Sequence, residues 1–518
     1  MHKYFIAALL FLSLSAGAQD KNTHINWQLQ DPSADKVMGV GADKAYELLK
    51  NKKPKPIIIA VIDAGTDVNH EDLKGVIWTN TAEIPDNGID DDHNGYIDDI
   101  HGWNFLGGKN GNIDHESTEL ARLYHRLGKK YADTTHIATA DRAEYEQYKK
   151  IKTQYLSEQM QNLNQMMAIG ELSRLIDKIK KQNNGVLTRK AVKNYKPIDD
   201  REKAFKRVLK LILLTGNGAE LDKEITDGMK QISSLAKYNA LNTDSIRTAI
   251  VGDDPYNLND HNYGNNDVVG PEALHGTHVA GIIAAMRNNG IGINGIANDV
   301  QIMVIRAVPD GDERDKDVAN AIRYAVDNHA SIINMSFGKY FSPGKKAIDE
   351  AIQYAADHDV LIIHAAGNES KDKDADNSFP TPVLDNGQVA TNWIEVGASD
   401  RKKGKNLLGT FSNYGKVRLD LFAPGVNIYS TLPGNTYANE SGTSMAAPVT
   451  TGVAAVIREY FPELKAAEVK ALLMKTVTPY TKKVKVPGKP KEKRTLQEMS
   501  VSGGVVNLYN AVNSLLSK

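Results

Sequence analysis

Apolar runs suited to buried strands alternate with stretches of helical period along much of this chain. Ile57 to Ile62 form an unbroken apolar run closed by Asp63, the pattern of a strand covered on both faces. Farther on, "VQIMVIRAV" (300–308) leads into "DVANAIRYAVDNHA" (317–330), in which apolar residues recur every three or four positions. "SIINMSFG" (331–338), the helix-like "AIDEAIQYAADHD" (347–359) and "VLIIHAAGN" (360–368) continue the alternation. Parallel strands need crossover helices, and these are right-handed, so the pattern predicts an α/β fold with a doubly wound, mostly parallel sheet. Sites in such sheets gather at the carboxyl ends of strands, where Asp63, Ser336, Phe337, Gly338 and Asn368 fall.

Residues 112–266 have a different texture. "AEYEQYKKIKTQYLSEQMQNLNQMMAIGELSRLIDKIKK" and "DDREKAFKRVLKLILLTG" are rich in Lys, Glu and Gln, with apolar residues at helical spacing. Tyr145, Tyr148, Tyr155, Leu172, Leu175, Ile176 and Ile179 form one such set, and Phe205, Val208, Leu209 and Ile212 another. An inserted α-helical subdomain is expected, with the tyrosine stripe and the methionine pair (Met166, Met167) in its core and its lysines on solvated faces. The expected organisation is a signal peptide (1–18), an N-terminal leader (19–55), a first part of the main domain (56–111), the helical insertion (112–266) and a second part of the main domain (267–518).

Composition narrows the class. The 518 residues are 41% hydrophobic and 25% charged, values of a globular protein with a substantial core, and the net charge of −1 gives no global attraction for nucleic acid or an acidic membrane. The opening "MHKYFIAALLFLSLSAGAQD" has a basic residue, a short apolar run and a small-x-small cleavage pattern, Ala16-Gly17-Ala18. It reads as a secretory signal cut before Gln19, so the mature protein is expected in the periplasm or outside the cell, without stable membrane insertion. The absence of cysteine removes disulfides, thiol catalysis and thiolate metal sites together. Bound calcium is one alternative source of robustness.

An acidic loop, "PDNGIDDDHNGYIDDIHGWNF", carries that expectation. Asp90, Asp92 and Asn94 stand at the first, third and fifth positions of a loop whose sixth is Gly95, and the Tyr96 carbonyl and Asp98 carboxylate follow at the seventh and ninth. This is the oxygen rhythm of an EF-hand-like calcium loop. The twelfth position holds His101 in place of the usual bidentate Glu, leaving Asp99 or Asp86 to complete the shell.

Four short motifs bear chemistry: "VIDAG" with Asp63, "HGTHVAG" with His275, "AAGNE" with Asn368 and "SGTSMAAP" with Ser444. Pro448 sits four residues after Ser444, so the Ser444 carbonyl has no helical N–H partner, an arrangement no packing helix requires. In their order, on an α/β alternation, the four motifs resemble the subtilisin-like serine proteases (subtilases, peptidase family S8). The resemblance covers about residues 56–106 and from His275 to the C-terminal "GGVVNLYNAV", and omits the helical stretch. It implies an endopeptidase working through an acyl-enzyme on polypeptide substrates. Ser444 would be the nucleophile, His275 the base, Asp63 the residue orienting His275, and Asn368 with the Ser444 backbone N–H the oxyanion donors; these roles are carried over from the family, not read from spacing. By the same match Ser336, Phe337 and Gly338 would pair with an extended substrate, and Ser378 in "NSFPTP" would floor the pocket for the residue before the cleaved bond, its small size leaving room for a bulky apolar side chain. Asp72 and Asn289 resemble a second, structural calcium site. His278 is expected to pack, not to catalyse, and no carboxylate accompanies it and His275 in a zinc-protease pattern. One departure stands out: Ala64 follows the aspartate where the family usually has Ser or Thr, so a hydroxyl donor to Asp63 is missing unless Thr66 or water replaces it. Two other functions fit the same residues: a silent peptide-binding protein on this fold, and a peptide ligase or cyclase using the same triad.

Overall fold

The computed structural model describes residues 24–213, 218–241 and 243–517. The proposed signal peptide, 1–18, lies outside them, as does the start of the leader. Among the described residues the chain divides into two compact units, Leu120–Thr243 and a larger one of His24–Glu119 with Asp244–Lys518.

The larger unit is organised on the apolar runs. A helix α1 (Ala42–Leu49) precedes β1 (Ile57–Asp63), and β2 (Gly102–Asn104) follows it. Then come α2 (Leu274–Ala284), β3 (Val300–Arg306), α3 (Asp315–Asp327), β4 (Ala330–Met335), α4 (Lys345–Asp357), β5 (Leu361–Ala365), β6 (Trp393–Ser399), β7 (Leu421–Pro424), α5 (Thr443–Tyr460), β8 (Thr478–Pro479), β9 (Gly504–Val505) and α6 (Leu508–Leu516). The nine strands lie in the order β8-β9-β7-β6-β5-β4-β1-β3-β2. All neighbours are parallel except β8 and β9. This is a doubly wound α/β fold. The chain leaves β1 toward β3 on one side and β4 on the other, so the order reverses at β1, and a crevice opens at the carboxyl ends there.

Strand periodicity sends alternate residues of β1 to opposite layers. Ile59 and Val61 join a core with α1, α2, α5 and α6, whereas Ala60 and Ile62 join a second core with α3 and α4. Both faces are covered, which is why the run is continuously apolar. Part of the leader belongs to the first core: Trp27 and Leu29 are buried, and the Trp27 indole N–H donates to the Asn427 carbonyl at 3.0 Å.

A fully buried ionic network also holds this unit. The Arg247 guanidinium donates to Asp317 at 2.7 Å and to Asp253 at 2.9 Å, Lys316 Nζ donates to Asp253 at 2.9 Å, and the Tyr263 hydroxyl donates to Asp317 at 2.6 Å. Removing the guanidinium strands two buried carboxylates. Arg247→Met is therefore expected to destabilise this unit by about 3–5 kcal/mol, read as a lower urea midpoint; a midpoint unchanged from the parent would refute it.

The smaller unit contains the helices Arg142–Lys181, Arg189–Asn194, Asp200–Ile212 and Gly218–Ala240. Leu172, Leu175, Ile176 and Ile179 pack with Phe205, Leu209 and Ile212 in one core. Tyr148 and Tyr155 are buried, and Tyr155 stacks on Tyr124 with centroids 4.1 Å apart. The methionine pair departs from its expected place: Met167 is 49% exposed and Met166 half-buried, because the helical drift over this 40-residue helix turns them off the packed stripe.

Candidate active site

Asp63 ends β1, nearly fully buried, and its carboxylate accepts from His275 Nδ1 at 2.8 and 2.9 Å. The Ala64 N–H donates to Asp63 Oδ1 at 2.8 Å. The Thr66 hydroxyl is buried without a hydrogen-bond partner among the described residues, so it does not replace the donor that Ala64 lacks. Two glycines permit the close seating of α2. Gly65 has φ +121°, and a β-carbon on it would lie 2.0 Å from the Val269 carbonyl oxygen. One on Gly276 would lie 2.1 Å from the Gly65 oxygen. His275 stands on the first turn of α2, its side chain 37% exposed. Burial opposes charge on the ring, but the Asp63 carboxylate outweighs it and raises the His275 pKa above the ordinary histidine value. His278, one turn on, has no such partner: burial pushes its pKa down to about 3, and its Nε2 faces the Ala438 carbonyl at 3.2 Å.

Ser444 is the second residue of α5, half-buried, after the extended Gly442. Pro448 leaves the Ser444 carbonyl without a helical donor, and the Ser336 hydroxyl supplies one at 3.1 Å. In return the Ser444 hydroxyl donates to the Ser336 carbonyl at 3.2 Å. The structure thus ties the serine to the end of β4 and shows no hydrogen bond between it and His275.

Asn368, just past β5, is held by its amide oxygen, which accepts from the Thr443 N–H at 2.9 Å and the Thr443 hydroxyl at 3.0 Å. That leaves its NH2 group outward. A β-carbon placed on Gly442 would stand 3.5 Å from both Asn368 Nδ2 and Ser444 N. Two donors without acceptors among the described residues thus flank a spot kept open by glycine. A cavity of about 210 Å³ is lined by Ser444, Asn368, Ser336, Phe337, Gly338 and Ser378, among others.

The acidic loop gathers a different set from the spacing. Carboxylate oxygens of Glu83, Asp90 and Asp92 lie within 4.8 Å of one another. Asp98 turns away to cap the Asn87 and Gly88 N–H groups at 3.1 and 2.9 Å, and the Asn94 side-chain Oδ1 accepts from the Tyr96 N–H at 2.8 Å. Tyr96 packs its ring on Trp103 and Tyr324. Asp99 is buried, bonded to Asn80 and to the Tyr324 hydroxyl, and burial raises its pKa to about 6. Glu83 escaped the sequence reading because it precedes the loop; its oxygens accept from the N–H groups of Asp91, Asp92 and Asp98. Three acceptor-only carboxylates converging this way fit a hard cation. Asp72 and Asn289 are also brought together, with Asn289 Nδ2 donating to Asp72 Oδ1 at 2.7 Å and the Ile293 N–H to Oδ2 at 2.9 Å.

A family model described as "Subtilase family" matches residues 55–499. The chain belongs to the subtilase family. Subtilisin BL of Lederbergia lenta is 35% identical over 206 residues, 39% of this chain and 70% of that protein. The thermophilic serine proteinase of Bacillus sp. (strain AK1) is 40% identical over 184 residues, 35% of this chain and 42% of its own length. The major intracellular serine protease of Bacillus subtilis (strain 168) is 35% identical over 231 residues, 43% of this chain and 68% of that protein. At the level of the family this subtilase is a serine protease homologue. Among its described residues no helix is long and apolar enough to cross a membrane.

Proposed function

We propose that this subtilase is an exported serine endopeptidase that cleaves peptide bonds through an acyl-enzyme on Ser444. The observation that carries the reading is the Asp63–His275 pair, bonded at 2.8 Å at the end of β1, while Ser444 and Asn368 line a cavity at the ends of the neighbouring β4 and β5. His275 would take the Ser444 proton as the hydroxyl attacks the substrate carbonyl, after Ser444 leaves the Ser336 carbonyl and turns to the ring; such bonds often tighten only with substrate in place. Asp63 keeps the Nδ1 proton in place, so Nε2 faces the serine as an acceptor, and its charge favours the imidazolium that forms. Asn368 Nδ2 and the Ser444 N–H would receive the developing oxyanion. The substrate would lie along Ser336, Phe337 and Gly338, pairing through its backbone, with Ser378 beneath its side chain. The signal-like segment 1–18 supports export to the periplasm or beyond.

The deciding test is labelling with a fluorophosphonate, with the adduct mapped to Ser444, alongside product masses from a defined peptide. Labelling with hydrolytic products supports the endopeptidase. Joined products would move the reading to a ligase, and absence of both label and cleavage to a silent binding protein.

We also read calcium at the Glu83–Asp90–Asp92 cluster, where the ion would neutralise the carboxylates and fix the loop, and at Asp72 with Asn289. Without a cation the three carboxylates repel one another. Removing it with EDTA is expected to lower Tm by several degrees, and added Ca2+ to restore it in a concentration-dependent way. A Tm indifferent to both treatments would dispose of the calcium reading.

A further inference from the structure

Beneath the floor of the 210 Å³ cavity lies a buried charged cluster that none of the chemistry above uses. Lys373, 7% exposed, directs its ammonium at three acceptors: the Ser378 hydroxyl oxygen at 2.8 Å, the Ala366 carbonyl at 3.3 Å, and Glu395 Oε1 in a short ion pair. Glu395, on β6, is 1% exposed and accepts through Oε2 from His364 Nδ1 at 3.0 Å and from the Trp393 indole at 2.8 Å. Burial alone would raise the Glu395 pKa, but Lys373 and His364 outweigh it and bring it to about 2, so the carboxylate stays charged.

His364 faces acceptors on both sides, Glu395 at Nδ1 and the Phe337 carbonyl at Nε2, 2.8 Å away. The ring thereby ties the Glu395 carboxylate to the Phe337 segment that lines the cavity. Lys373 and Glu395 form a buried ion pair under the floor, with the ammonium turned toward the Ser378 hydroxyl. Glu369, also on the cavity lining, stands at the exposed rim, with its carboxylate accepting from Asn413 Nδ2 at 2.7 Å.

Ser378 carries the Lys373 contact into the cavity. Its oxygen is occupied by the Lys373 ammonium, and its hydroxyl proton has no acceptor among the described residues. The floor therefore offers a polarised O–H donor, and a purely apolar side chain would leave it unsatisfied. The small floor residue does not make this an apolar pocket.

We propose that Ser378, positioned by Lys373 and backed by the His364–Glu395 pair, selects substrates whose residue before the cleaved bond ends in an acceptor oxygen, glutamine or glutamate. The proposal rests on the endopeptidase reading and assigns its substrate class. Ser378 would touch the substrate, whereas Lys373, His364 and Glu395 are positioning residues. The discrimination follows from the general rule that a site built to hydrogen-bond a group rejects analogues lacking it far better than an apolar pocket sorts apolar chains.

The test uses the full-length protein and a set of otherwise identical fluorogenic peptides with Gln, Glu, Leu or Phe before the scissile bond. kcat/KM is expected to be at least about tenfold higher for Gln and Glu than for Leu and Phe. In Ser378→Ala the Gln/Leu and Glu/Leu ratios of kcat/KM should each fall about tenfold, the loss of one hydrogen bond to a charge-backed donor. If Leu or Phe leads, or if Ser378→Ala leaves the ratios unmoved while Ser444 still takes the fluorophosphonate, the selectivity proposal fails and the endopeptidase reading stands. A chain that neither takes the label nor cuts any peptide overturns both.

Discussion

Replacing Ser444 by alanine is expected to lower kcat toward peptides by about 10^6, the size this loss takes in a subtilisin, while leaving the fold intact. The stability argument is local. The Ser444 hydroxyl makes a single hydrogen bond, to the Ser336 carbonyl at 3.2 Å, and the half-buried side chain ends at the crevice. The bonds that anchor the start of α5 use other groups: the Ser336 hydroxyl to the Ser444 carbonyl, and Thr443 to Asn368. Alanine keeps all of these and has the higher helix propensity. Activity should therefore vanish without a change in Tm beyond about two degrees, a combination a folding defect cannot mimic. Residual turnover within tenfold of the parent would mean that the nucleophile is elsewhere.

The sheet was legible where apolar runs are long. β1, β3, β4 and β5 lie within the runs that the sequence marks, because both faces of each are covered and the pattern is continuous. β6 was not legible. Its third residue is Glu395, a charge that breaks the apolar pattern, and the partners of Glu395, Lys373 and His364, arrive from a loop and from the neighbouring strand. Nothing in linear spacing announces such a pairing. β8 and β9 are two residues each, too short for any period.

The crevice shows the same division. The four motif residues could be picked out because each lies in a short run of restricted chemistry. Which contacts they make was less predictable: Thr66 stays unpartnered among the described residues, and Ser444 bonds to Ser336. The acidic loop showed its charge in the sequence but not its geometry. Backbone N–H groups of the loop capture Asp98 and Glu83 in different ways, and only the fold decides which carboxylates converge.

Asp63→Asn is the second large effect expected, a fall in kcat of about 10^4. Asp63 accepts from His275 Nδ1 with both oxygens, at 2.8 and 2.9 Å, and Oδ1 also takes the Ala64 N–H. In the asparagine variant that N–H would hold the amide oxygen at the Oδ1 position and leave NH2 at the other, facing the ring. An amide N–H directed at Nδ1 favours the tautomer with its proton on Nε2, the nitrogen that must accept from Ser444. The variant also loses the charge that stabilises the imidazolium. The pH profile separates this account from simple damage. Activity needs neutral His275, so the acid limb lies at its pKa, which Asp63 holds up against burial, with a smaller contribution from Glu440. Removing the carboxylate's charge leaves burial in command, and the acid limb of kcat/KM should move to lower pH even as the plateau falls. An acid limb that stays put or moves to higher pH would show that Asp63 does not set the charge state of His275.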